Sequence, residues 1–168
     1  AAALARKAQK PVRVTLTREQ DFEMIRARHP AKVWMKTGAK LDGTLVARDM
    51  RIVLDAGAYA DDSPGVAGIC ALFGRGPYHV QNVRLDSRAI YTNKLRSGAF
   101  RGFGGPQVAM AGETQIDEIA ERICMDPIDV RLKNSVRDDE EWMCGQSLSK
   151  VGLTECLNRV REASDWDN

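Results

Sequence analysis

The first third of the chain alternates apolar and polar residues with the period of β-strands. Residues 12–17, in "PVRVTLT", predict a half-buried strand. Two further strands are predicted on either side of Asp42-Gly43, because Asp-Gly between alternating runs is a strong hairpin signal. After this turn Met50, Ile52 and Leu54 share one face, which we expect to lie on the core.

Helical spacing dominates the second half. "SPGVAGICALFGRGPY" has the spacing of a short apolar helix between breakers, and "YHVQNVRLDSRAIYTN" returns to extended structure. An apolar stripe predicts a helix from about Pro106 to Cys124, and Asp126-Pro127 is suited to cap and open another. The residues of that stripe are Ala109, Ile116, Ile119, Ala120 and Ile123. A last amphipathic helix is built on Leu153, Cys156, Leu157 and Val160.

These elements predict an α+β fold with a twisted, mostly antiparallel sheet packed against helices. We expect residues 1–136 to form one portion of a domain, 137–150 a loop or linker, and 151–168 a helix that leads to the remainder of a longer subunit. The opening "AAALARKAQKP" is typical of the end of a helix, so we expect the sequence to be a piece of a longer chain.

Composition excludes several classes of function. The 168 residues carry 25 Lys and Arg against 23 Asp and Glu, a net charge of +2, so binding of nucleic acid or a membrane surface has no compositional support. The four cysteines show neither C-x-x-C pairing nor nearby histidines, which argues against a zinc or iron–sulfur site. We expect reduced thiols in a cytoplasmic protein, with two or three of them buried.

One stretch carries candidate chemistry. "SGAFRGFGGPQ", residues 97–107, combines glycines, two phenylalanines and an arginine immediately before a predicted helix. Glycines would let the backbone amides of residues 101–106 approach an anion or a metal-bound oxygen. Gln107 stands where a dinucleotide-binding fingerprint needs glycine. On spacing alone, a tight turn packed under two aromatic rings is the favoured interpretation of the stretch.

Several blocks resemble, in order, the molybdopterin-binding large subunit of the xanthine dehydrogenase and aldehyde oxidase family. They are "PVRVTLTREQDFEMIRARHPAKVWMKTGAKLDGTLVARD", "LDAGAYADDSPGV", "GPYHVQNVRLDSRAIYTN", "GAFRGFGGPQVAMAGETQIDEIAERICMDPIDVRLKN" and "VGLTECL". The resemblance implies a molybdenum–molybdopterin cofactor, in a dinucleotide form in some members, with 2Fe-2S clusters and FAD on partner domains or subunits. The implied reaction hydroxylates a heteroaromatic or aldehyde carbon with oxygen from water, or reduces an aromatic thioester such as hydroxybenzoyl-CoA.

The same resemblance implies roles for individual residues. The main-chain amide of Arg101 is expected to face the ligands of molybdenum, with Gly102 and Phe100 in the same cofactor-binding segment, although packing is the favoured role of Phe100. Phe103 is expected to be one of two rings that hold a flat substrate. Cys70 stands where purine-specific members have an arginine before "ALF", so it either leaves room for another substrate or packs the helix. Arg75 either replaces the missing charge or is a surface arginine.

Other family features are absent from these residues. The resemblance places the catalytic glutamate and a "GGGFGGK"-type block elsewhere in the subunit, so no catalytic base is assigned here and the chain alone is expected to be inactive. Glu113, Asp117 and Glu118 suit the polar face of a helix without a catalytic role. The alternative function is a non-catalytic interaction module that completes a site in a split-subunit complex; the neighbouring reading frames would discriminate between the two.

Overall fold

The computed structural model describes residues 1–167, which form six helices and one three-stranded sheet. In chain order the elements are α1 Ala2–Ala8, α2 Arg18–Met24, β1 Ala31–Ala39, β2 Leu45–Gly57, α3 Ser63–Phe73, β3 Asn82–Tyr91, α4 Gly105–Arg122, α5 Pro127–Asn134 and α6 Leu153–Ala163. The α+β class is confirmed. None of the helices in this part of the chain is both long and apolar enough to cross a membrane.

The sheet has the order β1-β2-β3 and is mixed. β1 and β2 form the predicted antiparallel hairpin, whose turn is closed by a 2.9 Å hydrogen bond from the Gly43 N–H to the Lys40 carbonyl. β3 pairs with β2 in parallel, where the sequence predicted a mostly antiparallel sheet. The difference arises because α3 carries the chain back along the sheet between β2 and β3, so that β3 starts at the same end as β2.

The core lies on one face of this sheet, under α3 and α4. Met50, Ile52 and Leu54 are each 0% exposed, which confirms the face predicted from their alternation. They pack with Val66 and Cys70 of α3, and with Val108 of α4. A second apolar cluster joins the start of β2 to the C-terminal half of α4 and to α5; its members are Leu45, Tyr78, Val80, Ile116, Ile119, Ala120 and Val130.

Two sequence expectations near the N-terminus differ from the structure. Residues 12–17 belong to no strand, and Val14 is exposed. Alternation of apolar and polar residues indicates only the direction of side chains, whereas a strand also needs a neighbouring strand to pair its backbone groups. Among the described residues, no strand lies beside residues 12–17. α2, which the pattern did not predict, follows at once and begins with a capping box between Thr17 and Gln20.

The predicted boundaries of α4 and α5 are close to those observed. α4 begins one residue before Pro106 and ends two residues before Cys124. Its buried stripe starts at Val108 and not at the predicted Ala109, which is exposed. At α5 the Asp126 carboxylate caps the helix as predicted, accepting hydrogen bonds from the N–H groups of Ile128 and Asp129.

The cysteines differ from the expectation of two or three buried thiols. Cys70 is buried, whereas Cys124, Cys144 and Cys156 are exposed. Cys124 follows the end of α4, Cys144 lies in the 137–150 segment, and Cys156 lies on α6, a helix with no buried residue.

Asn134 joins the hairpin to the last turn of α5. Its side chain is 3% exposed and donates to the carbonyls of Gly43 and Val130, both at 2.8 Å. Its Oδ1 accepts from the Leu45 N–H at 2.9 Å. Three buried backbone groups at the start of β2 and the end of α5 therefore depend on one amide.

Replacing this amide should lower stability. We expect Asn134→Ala to decrease the free energy of unfolding by about 2–4 kcal/mol, because buried donors and acceptors are left unpaired. Urea denaturation of the purified protein measures the change. Lys133→Ala is the control: it breaks only the exposed 3.3 Å ion pair with Asp42, so a loss of about 0.5 kcal/mol or less is expected. Equal losses of unfolding free energy in the two variants would contradict the role assigned to the Asn134 side chain.

Candidate cofactor-binding loop

The glycine-rich segment forms two consecutive tight turns directly before α4. In the first turn, the Phe103 N–H donates to the Phe100 carbonyl at 2.9 Å, and Gly102 has a φ of 91°. Positive φ at the third residue is the requirement of a type II turn. In the second, the Gly105 N–H donates to the Gly102 carbonyl at 2.8 Å, with φ values of 47° at Phe103 and 99° at Gly104. Two positive values are typical of a type I′ turn.

The left-handed conformation of Phe103 is unfavourable for a residue with a Cβ, by about 1–3 kcal/mol. Packing of the aromatic ring compensates for it. The ring lies on Gly65 of α3, where an added Cβ would be 3.2 Å from Phe103 Cε1, and it contacts the core cluster around Met50. Phe103 is therefore half-buried, and the core of the domain fixes the second turn.

The loop also fits closely against α3 from above. A Cβ at Gly104 would lie 2.7 Å from Cys70 Sγ and 2.8 Å from the Val66 carbonyl oxygen. Both distances are shorter than any ordinary van der Waals contact, so only glycine fits at this position. The Cys70 thiol donates to the Gly104 carbonyl at 3.4 Å.

Cys70 is fully buried beneath the loop. It is 0% exposed, and burial raises the pKa of its thiol to about 11. The thiol is therefore neutral at physiological pH and acts as a small apolar group. This position supports the helix-packing alternative, and a direct contact with substrate stays a prediction.

Backbone hydrogen bonds anchor the start of the segment. The Ser97 N–H donates to the Ala56 carbonyl and the Gly98 N–H donates to the Ala27 carbonyl, both at 3.0 Å. The Ala99 N–H donates to the Asp62 carboxylate at 3.2 Å. The base of the loop is thus tied to the end of β2, to the N-terminus of α3 and to the segment before β1.

The turns leave backbone donors free at the tip. Within residues 1–167, the N–H groups of Arg101 and Gly102 have no hydrogen-bond partner. The Phe100 carbonyl points into the turn toward Phe103, so the Arg101 N–H of the same planar peptide points out of it. Arg101 and Gly102 are exposed, and Phe100 is 55% exposed. The loop therefore presents two adjacent donors beside an aromatic ring, an arrangement suited to oxyanions.

Arg28 is a further contact that the sequence did not predict. It donates to the Arg101 carbonyl at 2.7 Å, and its guanidinium carbon lies 5.0 Å from the centre of the Phe100 ring. Arg28 precedes β1 and lies 73 residues from Arg101 in sequence. No local pattern marks it, because its role depends on a contact that only the folded chain creates.

Arg75 lies apart from these turns. It is 8% exposed, so it is not the surface arginine considered from the sequence. Its guanidinium carbon lies 4.6 Å from the ring centre of Trp142, and its Nη1 donates to the Glu141 carbonyl at 3.4 Å. The side chain thus packs on the 137–150 segment, and burial lowers its pKa.

Two of the acidic residues of α4, Glu113 and Asp117, have structural partners, and Glu118 is exposed. Glu113 accepts hydrogen bonds from the Tyr78 hydroxyl at 2.8 and 2.9 Å, and from Arg131 Nε at 2.9 Å. Asp117 pairs with Arg131 at 2.7 Å. In the described part of the chain, no group of three or more His, Cys, Asp or Glu side chains is placed to hold a metal ion.

Comparison with known proteins gives a consistent result. The profile of the family described as "Molybdopterin cofactor-binding domain" matches residues 1–135. The "Nicotinate dehydrogenase large molybdopterin subunit" of Eubacterium barkeri is 41% identical over 155 residues, which are 92% of this chain and 36% of that subunit. The chain therefore spans about a third of that relative.

Solved structures agree in fold. An aldehyde oxidoreductase from Desulfovibrio gigas superposes with a TM-score of 0.82 at 31% identity, covering 86% of this chain and 16% of that one. Quinoline 2-oxidoreductase from Pseudomonas putida 86 gives a TM-score of 0.85 at 26% identity, covering 98% of this chain and 22% of that one.

The placement of Cys70 makes a chemical prediction. At pH 8 we expect iodoacetamide to modify the exposed Cys124, Cys144 and Cys156 of the purified chain while Cys70 stays unmodified, because its raised pKa and burial keep it protonated and inaccessible. Peptide mass spectrometry measures the labelling, with the same reaction in denaturant as the control in which all four react. Rapid native labelling of Cys70 would contradict this packing.

Proposed function

The chain belongs to the molybdopterin cofactor-binding domain family, and on that basis we propose that its glycine-rich loop holds one side of a molybdenum–molybdopterin cofactor in a molybdenum hydroxylase. The single observation that carries the proposal is the pair of unpartnered N–H groups at Arg101 and Gly102. They lie on a loop whose conformation depends on glycine. The proposal assigns Arg101, Gly102 and Phe100 to the cofactor-binding segment.

The residues present fit such a cofactor. Its metal end and its phosphate are rich in anionic oxygens, which backbone donors recognise without a positive side chain. Gly102 leaves the approach open, and an added Cβ there would lie 2.7 Å from Pro106 Cδ. The turns are already formed and held by the core, so the donors require little reorganisation when an anionic group binds.

When bound, the cofactor would supply a two-electron redox centre. The chain's own residues would bind the cofactor and orient the substrate. We propose that the Arg101 N–H donates toward the metal end of the cofactor, as the resemblance implies. Phe103 would offer a ring edge or face to a flat substrate, fixed by its packing on Gly65. Cys70 would support the substrate-binding side of the loop by keeping Gly104 in place.

The proposed reaction is hydroxylation of a heteroaromatic or aldehyde carbon, in which oxygen from water is added and two electrons and two protons are released. The names of the relatives support this class. Nicotinate and quinoline are flat heteroaromatic rings, and the third relative is named for aldehydes. None of these three names refers to a thioester, so hydroxylation is favoured over the reductive reaction.

Other components are proposed to lie outside residues 1–168. These are the catalytic glutamate, most of the pterin contacts, and the 2Fe-2S and FAD domains or subunits that receive the electrons. The relatives' longer chains support this division, because the segment aligned here is 36% or less of each of the three. By itself the chain is proposed to be inactive.

The proposal predicts molybdenum in the native complex. We expect a complex purified from its host through a tag on this chain to contain molybdenum near one equivalent per chain, with iron–sulfur and flavin polypeptides or domains. Elemental analysis and mass spectrometry provide the measurement. A complex with partners but without molybdenum would contradict the proposal and favour the non-catalytic interaction module.

A matched pair of glycine variants tests the loop itself. We expect Gly102→Ala to lower the molybdenum content of the full-length enzyme at least about ten-fold, because alanine is strained at a φ of 91° and meets Pro106. Gly105→Ala is the control: it is three residues away, and its Cβ would meet nothing within 4 Å. The two variants should differ in metal content at similar yield, and equal content would contradict the proposed contact.

A further inference from the structure

We infer that Arg28 is a positioning residue that fixes the orientation of the peptide group between Arg101 and Gly102. The inference rests on the proposed function, because it concerns the backbone donors that the loop offers to the cofactor. No motif and no part of the resemblance singled out Arg28. It is recognised only from its contacts in the folded chain.

Three contacts hold the Arg28 guanidinium. Its Nη2 donates to the Arg101 carbonyl at 2.7 Å, and its Nη1 donates to Gln107 Oε1 at 3.4 Å. The guanidinium lies over the Phe100 ring, with 5.0 Å between its central carbon and the ring centre. A planar guanidinium can stack with one face while it donates along its edge, which an ammonium group cannot do. Arg28 therefore contacts the turn at Arg101 and Phe100, and it also contacts α4 at Gln107.

The bonded peptide is the central one of the turn from Phe100 to Phe103. Type I and type II turns share the same outer hydrogen bond and differ by a rotation of about 180° of this central peptide. Glycine at the third position, here Gly102, allows both types. The outer bond between Phe103 and Phe100 thus does not select the orientation. The hydrogen bond from Arg28 does, because only the observed orientation brings the Arg101 carbonyl to it.

The orientation of this peptide determines whether the loop presents an N–H donor or a carbonyl oxygen at its tip. In the observed state the Arg101 carbonyl faces Arg28, so the Gly102 N–H of the same planar peptide points the opposite way. After a rotation of the peptide, a carbonyl oxygen would replace that N–H and would repel an anionic group. A charge-assisted hydrogen bond favours the observed orientation by about ten-fold or more.

The neighbouring Arg26 acts at a different place. It pairs with Asp61 at 3.1 Å and with Asp62 at 2.5 Å, and Asp62 accepts from the Ala99 N–H. Arg26 therefore supports the base of the loop, whereas Arg28 contacts the turn itself. The two roles can be separated by mutation.

The test uses the full-length enzyme with its partner components. We expect Arg28→Ala to rotate the central peptide of the turn. A crystal structure of the variant would then show the Arg101 carbonyl directed away from its present position. We also expect the molybdenum content to fall about ten-fold when molybdate is limiting. Arg28→Lys should give an intermediate content, since it keeps one donor but loses the planar stacking. Added guanidinium ion should raise the molybdenum content of Arg28→Ala and leave that of the wild type unchanged.

Arg51→Ala is the matched control. Arg51 is also a guanidinium over an exposed ring, 5.4 Å from the centre of Trp34, but it contacts no residue of the loop. It should retain wild-type molybdenum content and activity. Melting temperatures of Arg51→Ala and Arg28→Lys close to that of the wild type would show that neither the loss of a guanidinium from an exposed ring nor the exchange at residue 28 unfolds the domain.

The outcomes separate this inference from the proposed function. An Arg101 carbonyl that keeps its orientation in both Arg28 variants would overturn the inference, whether or not molybdenum is lost. If Arg28→Ala does not fold, Arg28→Met decides, because it keeps the length of the side chain and removes every donor to the Arg101 carbonyl. A wild-type enzyme without molybdenum would overturn the proposed function, and the carbonyl orientation in the variants would still test the positioning role.

Discussion

The arrangement of this domain depends on the close approach of Gly104 to α3. No side chain fits between the loop and the Cys70 thiol, because a single Cβ would already overlap with Cys70 Sγ and the Val66 carbonyl. This contact brings the start of α4 down onto the core that β2 and α3 build. Because the start of α4 is fixed there, the position of the two turns that precede it is fixed as well. The outer edge of these turns lies at the surface.

The loop is thus held from two directions by different physical means. Below it, dispersion contacts and exclusion of water fix Phe103 and Gly104 on the apolar core. At its side, the Arg28 guanidinium provides a charged hydrogen bond to the Arg101 carbonyl. Within residues 1–167, the N–H groups of Arg101 and Gly102 between these supports have no hydrogen-bond partner. A rigid base with unpaired donors at its edge is the arrangement expected where a protein binds an anionic group without a cluster of basic side chains.

Local signals predicted much of the fold. Asp42-Gly43 marked the hairpin, Asp126-Pro127 marked the start of α5, and the alternation of Met50, Ile52 and Leu54 gave the buried face. The parallel pairing of β3 was missed, because pairing is a relation between distant segments that periodicity does not contain. The loop was identified from its glycines and the family resemblance. Its supports were not, since Arg28 and Asp62 look like ordinary polar residues until folding brings them to residues 99–101.

The sequence distances across the loop have a consequence for the order of assembly. The hydrogen bonds that shape it join residues 34, 37 and 73 positions apart, from Cys70, Asp62 and Arg28. Contacts of such separation close late in folding, after the hairpin and the local helices. Because Arg28, Asp62 and Cys70 all precede the loop in sequence, it takes this shape only after the hairpin and α3 have folded. Binding of the proposed cofactor to this loop would then be a step that follows the folding of the domain.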